Sequence, residues 1–191
     1  DWDGNVVWKY DGHDYIEDPG HAPCWMARQH HDYQREGNPV GYYVPGMECK
    51  TDSGNTLILT HTDVTVPEIS LHGLISDRMI EVDWEGNILW DWCVHDHFDE
   101  LGFDEAAKNT MARNPNIVPN GKGDWMHINC MSVLGPNKWY DAGDERFHPD
   151  NIIWDGRATN IIAIIDKKTG KLVWKLGPDY STGKAKETVQ I

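Results

Sequence analysis

An all-β fold follows from three features of the sequence: a hairpin signature that recurs at long, even spacing, four strand-like runs between recurrences, and only one short helix-like stretch. The signature reads "DWDGNVVWKY" at 1–10, "DWEGNILWDW" at 83–92 and "DKKTGKLVWKL" at 166–176. Each copy has an aspartate, a glycine turn, two aliphatic residues and a tryptophan. Trp8, Trp90 and Trp174 are 82 and 84 residues apart. Glycine supplies the positive φ that a tight reversal needs, and β-branched and aromatic residues follow it, so each copy predicts a hairpin.

The runs that precede the signature also recur in order. "HHDYQ" at 30–34, "GNTLILTHTD" at 54–63 and "RMIEVD" at 78–83 are answered by "HINCM" at 127–131, "DNIIWDGRATN" at 150–160 and "NIIAIID" at 160–166. Four antiparallel strands per repeated unit are the mark of a β-propeller blade. The chain then divides into the end of a blade (1–10), one blade (11–92), a second (93–177) and the start of a third (178–191). Long loops are expected at 35–53, 64–77 and 93–124; within the last, "FDEAAKNTMAR" at 103–113 predicts a short helix capped by Asp104 and ended by Asn114-Pro115. Two full units cannot close a ring of about four to eight blades, so the sequence reads as a segment of a longer propeller; a twisted β-sandwich with similar hairpins is the plainer alternative. Trp2, Trp8, Trp84, Trp90, Trp92, Trp154 and Trp174, in or beside strand runs, are expected to be packing anchors.

Seventeen basic residues against thirty-one acidic ones give a net charge of -14. That argues against nucleic acid and anionic membrane as partners, since both require positive surface. No uncharged apolar window is long enough to span a bilayer, so no membrane insertion is expected, and no signal peptide is visible. Cys24, Cys49, Cys93 and Cys130 are widely spaced, with no zinc-finger pattern; they allow one or two disulfides without requiring them. A homo-oligomer is equally allowed.

The candidate chemistry lies at the starts of the units. His127 and Asn129 alternate on a strand and so are expected to share a face, and His31, or alternatively His30, holds the corresponding place one unit earlier. First strands of blades line the central channel, so these side chains would converge there. The plainer reading is a pair of structural polar groups at a blade edge. Arg157, thirty residues after His127, is a candidate anion clamp through its planar fork of donors, or else a surface ion pair. "HDHFDE" at 95–100 and "DGHDY" at 11–15 carry metal-capable groups but read as solvated loops, and no metal or cofactor is expected. Serine-elbow, zincin and P-loop motifs are absent.

Taken together, "HHDYQ", "GNTLIL", "MIEVDWEGNILWDW", "GDWMHIN", "DNIIWDGRATNIIAIID" and "GKLVWKLGPDY" resemble the bacterial arylsulfotransferases, in the right order along nearly the whole chain. The resemblance implies a six-bladed propeller whose central site moves a sulfuryl group from a phenolic sulfate ester to a phenol through a sulfohistidine, without a nucleotide sulfate donor. It matches His127 and Asn129 to the family's His-x-Asn motif, Arg157 to its sulfate-binding arginine, and His31, with His30 as alternative, to its first channel histidine. The family's nucleophilic histidine would fall past Ile191, and its members' export implies a periplasmic or secreted location. Two other readings compete: a quinoprotein-like dehydrogenase, whose blades share the "D-x-x-T-G-x-x-x-W" hairpin, and a non-catalytic propeller used as a binding or assembly scaffold.

Overall fold

The computed structural model describes residues 1–16, 22–37, 48, 50–112 and 123–177. A short antiparallel pair, β1 (Asp14–Ile16) and β2 (Cys24–Met26), precedes the main sheets. Strands β3 (Gln29–Arg35), β4 (Thr56–Val64), β5 (Leu74–Val82) and β6 (Ile88–Cys93) form an antiparallel meander, to which the two-residue β7 (Gly123–Asp124) adds in parallel along β5. Strands β8 (Ile128–Val133), β9 (Ile152–Gly156), β10 (Ile161–Ile165) and β11 (Leu172–Leu176) form a second meander in the same order. The fold is therefore all-β with several sheets, consistent with part of a β-propeller. The expected start of a further blade at 178–191 lies outside the described residues.

The recurring turns use one chemistry. In the first two copies an aspartate carboxylate accepts from both the backbone and the side-chain nitrogen of the asparagine four residues on: Asn5 on Asp1 at 2.8 and 2.9 Å, Asn87 on Asp83 at 2.8 Å each. Gly4 and Gly86 take φ of 85° and 90° in these turns. In the third, Asp166 accepts from the amide of Lys168 at 2.9 Å and Gly170 has φ 74°. The first copy is nevertheless not a hairpin. Residues 5–10 run without a ladder partner among the described residues. Trp2 is fully exposed instead of anchoring anything.

The other tryptophans explain why the signature recurs. Trp8 donates its indole N–H to the carbonyl of Trp84 at 2.9 Å, and Trp90 donates to the carbonyl of Lys167 at 3.1 Å. Both acceptors directly follow the turn aspartate of the next unit, Asp83 and Asp166. Each unit thus hooks the turn of its successor at an equivalent atom. Trp92 adds a second bond to Gly170 O at 2.8 Å, and Arg35 lies over both Trp8 and Trp84 at 5.3 and 5.0 Å.

Period-two alternation sends β4 in two directions. Leu57 and Leu59 join the large core shared with the second meander, which holds Met79, Trp92, Trp125, Met131, Ile152, Trp154 and Ile161. Ile58 points to the opposite face, where Ile80, Val82, Trp8 and Tyr10 meet. A sheet buried on both faces is what a blade between two neighbours requires.

The segment 93–124 is more structured than a loop. Val94–Leu101 forms 3-10 turns that bury Val94, Phe98 and Leu101, and α1 (Glu105–Ala112) follows. As expected, Asp104 caps it, accepting from the Ala107 amide at 2.7 Å; the expected ending at Asn114-Pro115 lies outside the described residues. Likewise β5 begins at Leu74, inside the stretch expected as loop, because Leu74 and Ser76 alternate inward. A second short helix, α2 (Lys138–Asp141), sits between β8 and β9.

Candidate functional site

The first strands of the two meanders are interrupted at equivalent places. On β3 the pairing passes from Gln29–Thr60 to Tyr33–Ile58, so His30, His31 and Asp32 oppose Leu59 alone. On β8 it passes from Ile128–Gly156 to Met131–Trp154, leaving Asn129 and Cys130 opposite Asp155. Such bulges twist a strand and re-aim its side chains. Beside them His31 and His127 adopt φ of 51° and 57°, the left-handed region that non-glycine residues seldom occupy and that costs about 1–3 kcal/mol.

Side chains take over where the ladder stops. The Asp32 carboxylate accepts from the amide of Met131 at 3.0 Å, and the Gln34 carbonyl oxygen accepts from Val133 at 2.7 Å. Gln34 also donates to Ser132 Oγ at 3.2 Å. Asp155 Oδ1 accepts from the Cys130 amide at 2.7 Å. The two inner strands are thereby spliced edge to edge, which brings their histidines together.

His31 and His127 meet with ring centroids 5.2 Å apart at 73°. His127 Nδ1 bonds the carboxylate of Asp124, and its Nε2 lies 3.3 Å from Arg157 Nη1. An anionic carboxylate only accepts, so the proton sits on Nδ1 and the Nε2 lone pair faces the guanidinium. Arg157 is held in place by its own backbone, its N–H donating to His127 O at 3.1 Å, while its side chain is exposed. Its remaining guanidinium donors have no hydrogen-bond partner among the described residues. Asn129 does not share a face with His127 by strand alternation, because His127 precedes β8 in a left-handed conformation and Asn129 falls in the bulge. Its Oδ1 is buried and without a hydrogen-bond partner among the described residues.

Behind this pair lie His30, the alternative to His31, and two groups without an expected role, His61 and Asp77. His30 Nδ1 is 3.0 Å from His31 Nδ1, and the His30 ring stacks on His61 of β4 at 3.6 Å and 17°. Burial pulls His30 down to about 4, with the Thr60 backbone opposing. It pulls His61 to about 3, helped by the neighbouring His30 and Arg28. Both imidazoles are therefore neutral at neutral pH. Asp77 of β5 exposes none of its side chain. Burial first, then the charge of Asp124, raises its carboxyl well above the usual range; the amides of Ile128 and His127 oppose this. Neither Asp77 oxygen has a partner of hydrogen-bonding geometry among the described residues. The signal for Asp77 was present as a charged residue inside an otherwise apolar strand, "LISDRMIEV". Asp124 stood in the quoted "GDWMHIN" without an assigned role.

The two stretches read as solvated loops divide. His13 of "DGHDY" is exposed and bonds Asp11 O at 2.6 Å. "HDHFDE" is partly packed: His97 stacks on Trp92 at 4.8 Å, and His95 Nδ1 lies 3.1 Å from Ser76 Oγ, since the same turns bury Val94 and Phe98. Cys93, His95 and Asp96 bring their donor atoms near one another there. Cys24, Cys93 and Cys130 are free thiols.

The sequence model of the family described as Arylsulfotransferase (ASST) matches residues 47–189. The chain belongs to the arylsulfotransferase family. The matched span includes His127, Asn129 and Arg157 and stops short of His30 and His31. No curated protein and no solved structure matches the chain. For an arylsulfotransferase chain the arrangement is chemically apt: a carboxylate-held imidazole beside an exposed guanidinium can bind a sulfuryl oxygen and move a proton at one point. No helix among the described residues is long and apolar enough to cross a membrane.

Proposed function

We propose that this chain forms part of a six-bladed propeller that transfers a sulfuryl group from a phenolic sulfate ester to a phenol, without a nucleotide donor. The observation that carries this reading is the 3.3 Å approach of Arg157 to His127 Nε2, beside His31 and backed by Asp124. In the first step a histidine nitrogen attacks sulfur and the ester S–O bond breaks, leaving a sulfohistidine. The departing phenolate takes a proton from His127, which enters this step protonated on Nε2 as well as Nδ1, that N–H turned from Arg157 toward the ester oxygen. In the second step the acceptor hydroxyl gives its proton to that imidazole as its oxygen displaces the histidine from sulfur. Arg157, with Asn129, holds the sulfuryl oxygens as charge shifts among them. His31 stands across from His127 and orders the donor; His30 lies behind it.

The nucleophile itself is assigned to the first strand of the following unit, roughly 80 residues beyond His127 by the repeat spacing. Export to the periplasm or beyond belongs to the same proposal, and cell fractionation with an antibody tests it. The enzymatic reading is tested by acceptor-dependent nitrophenol release from 4-nitrophenyl sulfate by the full-length protein, with Arg157→Ala and His127→Ala alongside. The expected result is release that both variants abolish, with sulfohistidine found by intact-mass and peptide analysis outside this chain. No acceptor-dependent release refutes transfer, and sulfuryl on His127 overturns the assignment of the nucleophile.

A further inference from the structure

Asp77 is the least expected group in the molecule. Its side chain is wholly buried in the middle of β5, and both oxygens lack a hydrogen-bond partner among the described residues. Two imidazoles nevertheless aim at it. His30 Nε2 lies 3.4 Å and His61 Nε2 3.7 Å from the same atom, Asp77 Oδ1, and His30 Nε2 is itself buried and without a partner. Sulfuryl transfer, as set out above, gives Asp77 and His61 nothing to do.

The distances discriminate between explanations. An N–H···O bond closes to about 2.7–3.2 Å; both approaches are longer, and Asp77 Oδ1 has no partner of hydrogen-bonding geometry among the described residues. Two ligands on one tetrahedral metal behave differently: bonds of about 2.0–2.1 Å leave neighbouring donors about 3.3–3.4 Å apart. The His30–Asp77 separation has that length, and the His61–Asp77 separation needs a closure of a few tenths of an ångström. The two rings stack within 17° of parallel, so one of them must swing for both Nε2 lone pairs to line up on a single ion. All three donor atoms lie within 4.8 Å of one another.

We propose that His30, His61 and Asp77 form a binding site for a divalent transition-metal ion of the zinc class. Two imidazoles and a carboxylate are a zinc donor set, with a fourth position left for water. The ion would supply the positive charge that a buried, unpartnered carboxylate lacks. Asp124, whose Oδ1 is also buried without a partner among the described residues, adds negative charge nearby, while the cation of Arg28 is taken up by Asp63 at 2.6 Å. The site joins β3, β4 and β5 of one sheet, so it fastens the strand that carries the channel histidines. It also fixes a tautomer. With Nε2 on the ion, His30 carries its proton on Nδ1 and donates to His31 Nδ1, 3.0 Å away, which leaves His31 with its N–H on Nε2.

The test needs no transfer activity and stands apart from the sulfuryl-transfer reading. Full-length protein stripped with a chelator is titrated with Zn²⁺ alone and then with Co²⁺ alone, followed by elemental analysis and visible absorption. Expected are one ion per chain and a tetrahedral Co²⁺ spectrum without thiolate charge transfer, with affinity reduced more than about tenfold in His61→Ala and Asp77→Asn and unchanged in His95→Ala. The wild-type spectrum decides the case should the Asp77 variant fail to fold. Absence of uptake by the wild type, a thiolate-to-metal band that points to Cys93, or undiminished binding in Asp77→Asn overturns the proposal.

Discussion

Replacing Asp124 by Asn tests the central dyad with the smallest change of shape. Asp124 is the only side chain bonded to His127 Nδ1 among the described residues, and His127 Nε2 has Arg157 Nη1 at 3.3 Å. Asparagine has two ways to sit there. With its oxygen on Nδ1 it keeps the tautomer but turns a charge-assisted bond into a neutral one, and its NH2 then occupies the place of Asp124 Oδ1, which is buried without a partner. With its NH2 on Nδ1 it forces the proton onto Nε2, where an N–H would oppose the N–H of Arg157. The first arrangement removes about 1–2 kcal/mol of support from the imidazolium formed in transfer, or about 5- to 30-fold in rate. The second removes the acceptor lone pair itself, a loss that can reach about 10⁴-fold where a carboxylate fixes a catalytic tautomer. Acceptor-dependent nitrophenol release, measured as kcat and kcat/KM, is expected to fall within that interval, with kcat bearing most of the loss. Melting temperature serves as the control for folding. A folded Asp124→Asn protein with kcat within threefold of wild type would refute the dyad.

Three further outcomes follow from the packing. Gln34→Ala strands the half-buried amide of Val133 and removes the bond to Ser132, so urea denaturation should show a loss of about 1–2 kcal/mol. Trp90→Phe deletes the N–H hook to Lys167 O while keeping most of the ring; a loss of about 1 kcal/mol is expected in the same assay, against none if the hook is incidental. The Cys93 thiol is pushed up to about 11 by burial and then by Asp91. Its thiolate fraction at pH 8 is therefore below that of an ordinary thiol by roughly 100-fold. Iodoacetamide labelling followed by peptide mass spectrometry should find Cys93 nearly untouched at pH 8 and reactive only as pH approaches 11; rapid labelling at pH 8 would contradict its burial.

The strand order was legible because each unit repeats a local code: Asp-x-x-Gly or Asp-x-x-Thr-Gly turns, then aliphatic residues, then tryptophan. That code is short-range chemistry, and the turns formed at Asp83 and Asp166 bear it out. What failed at residues 1–10 was pairing, which depends on a partner strand and not on the turn. The site was legible at His127, His31 and Arg157, which the fold does bring together. The argument that would have put Asn129 beside His127 was strand alternation, and a positive φ with an adjacent bulge cancels alternation. Asp77 and His61 escaped because each belongs to a different strand, and only the register of β3, β4 and β5 makes them neighbours of His30.

The tryptophan hooks explain how a repeat becomes a site. Trp8 reaches Trp84 O and Trp90 reaches Lys167 O, so one geometric relation carries each unit onto the next. Applied to the inner strands, a single relation must set equivalent residues side by side. Asp32 and Gln34 accordingly meet Met131 and Val133 two residues apart on both strands, and His31 meets His127 within ring contact. Both histidines sit in left-handed conformations, His31 within the β3 bulge and His127 just ahead of the β8 bulge, which frees them from the pleat that would otherwise send them alternately to either face of the sheet. The repeat thus supplies convergence and the bulge supplies aim. Straightening the β8 bulge, by deleting Asn129 or Cys130, should leave the hooks intact and swing His127 away from His31. A folded deletion protein that still released nitrophenol at the wild-type rate would show that aim comes from elsewhere.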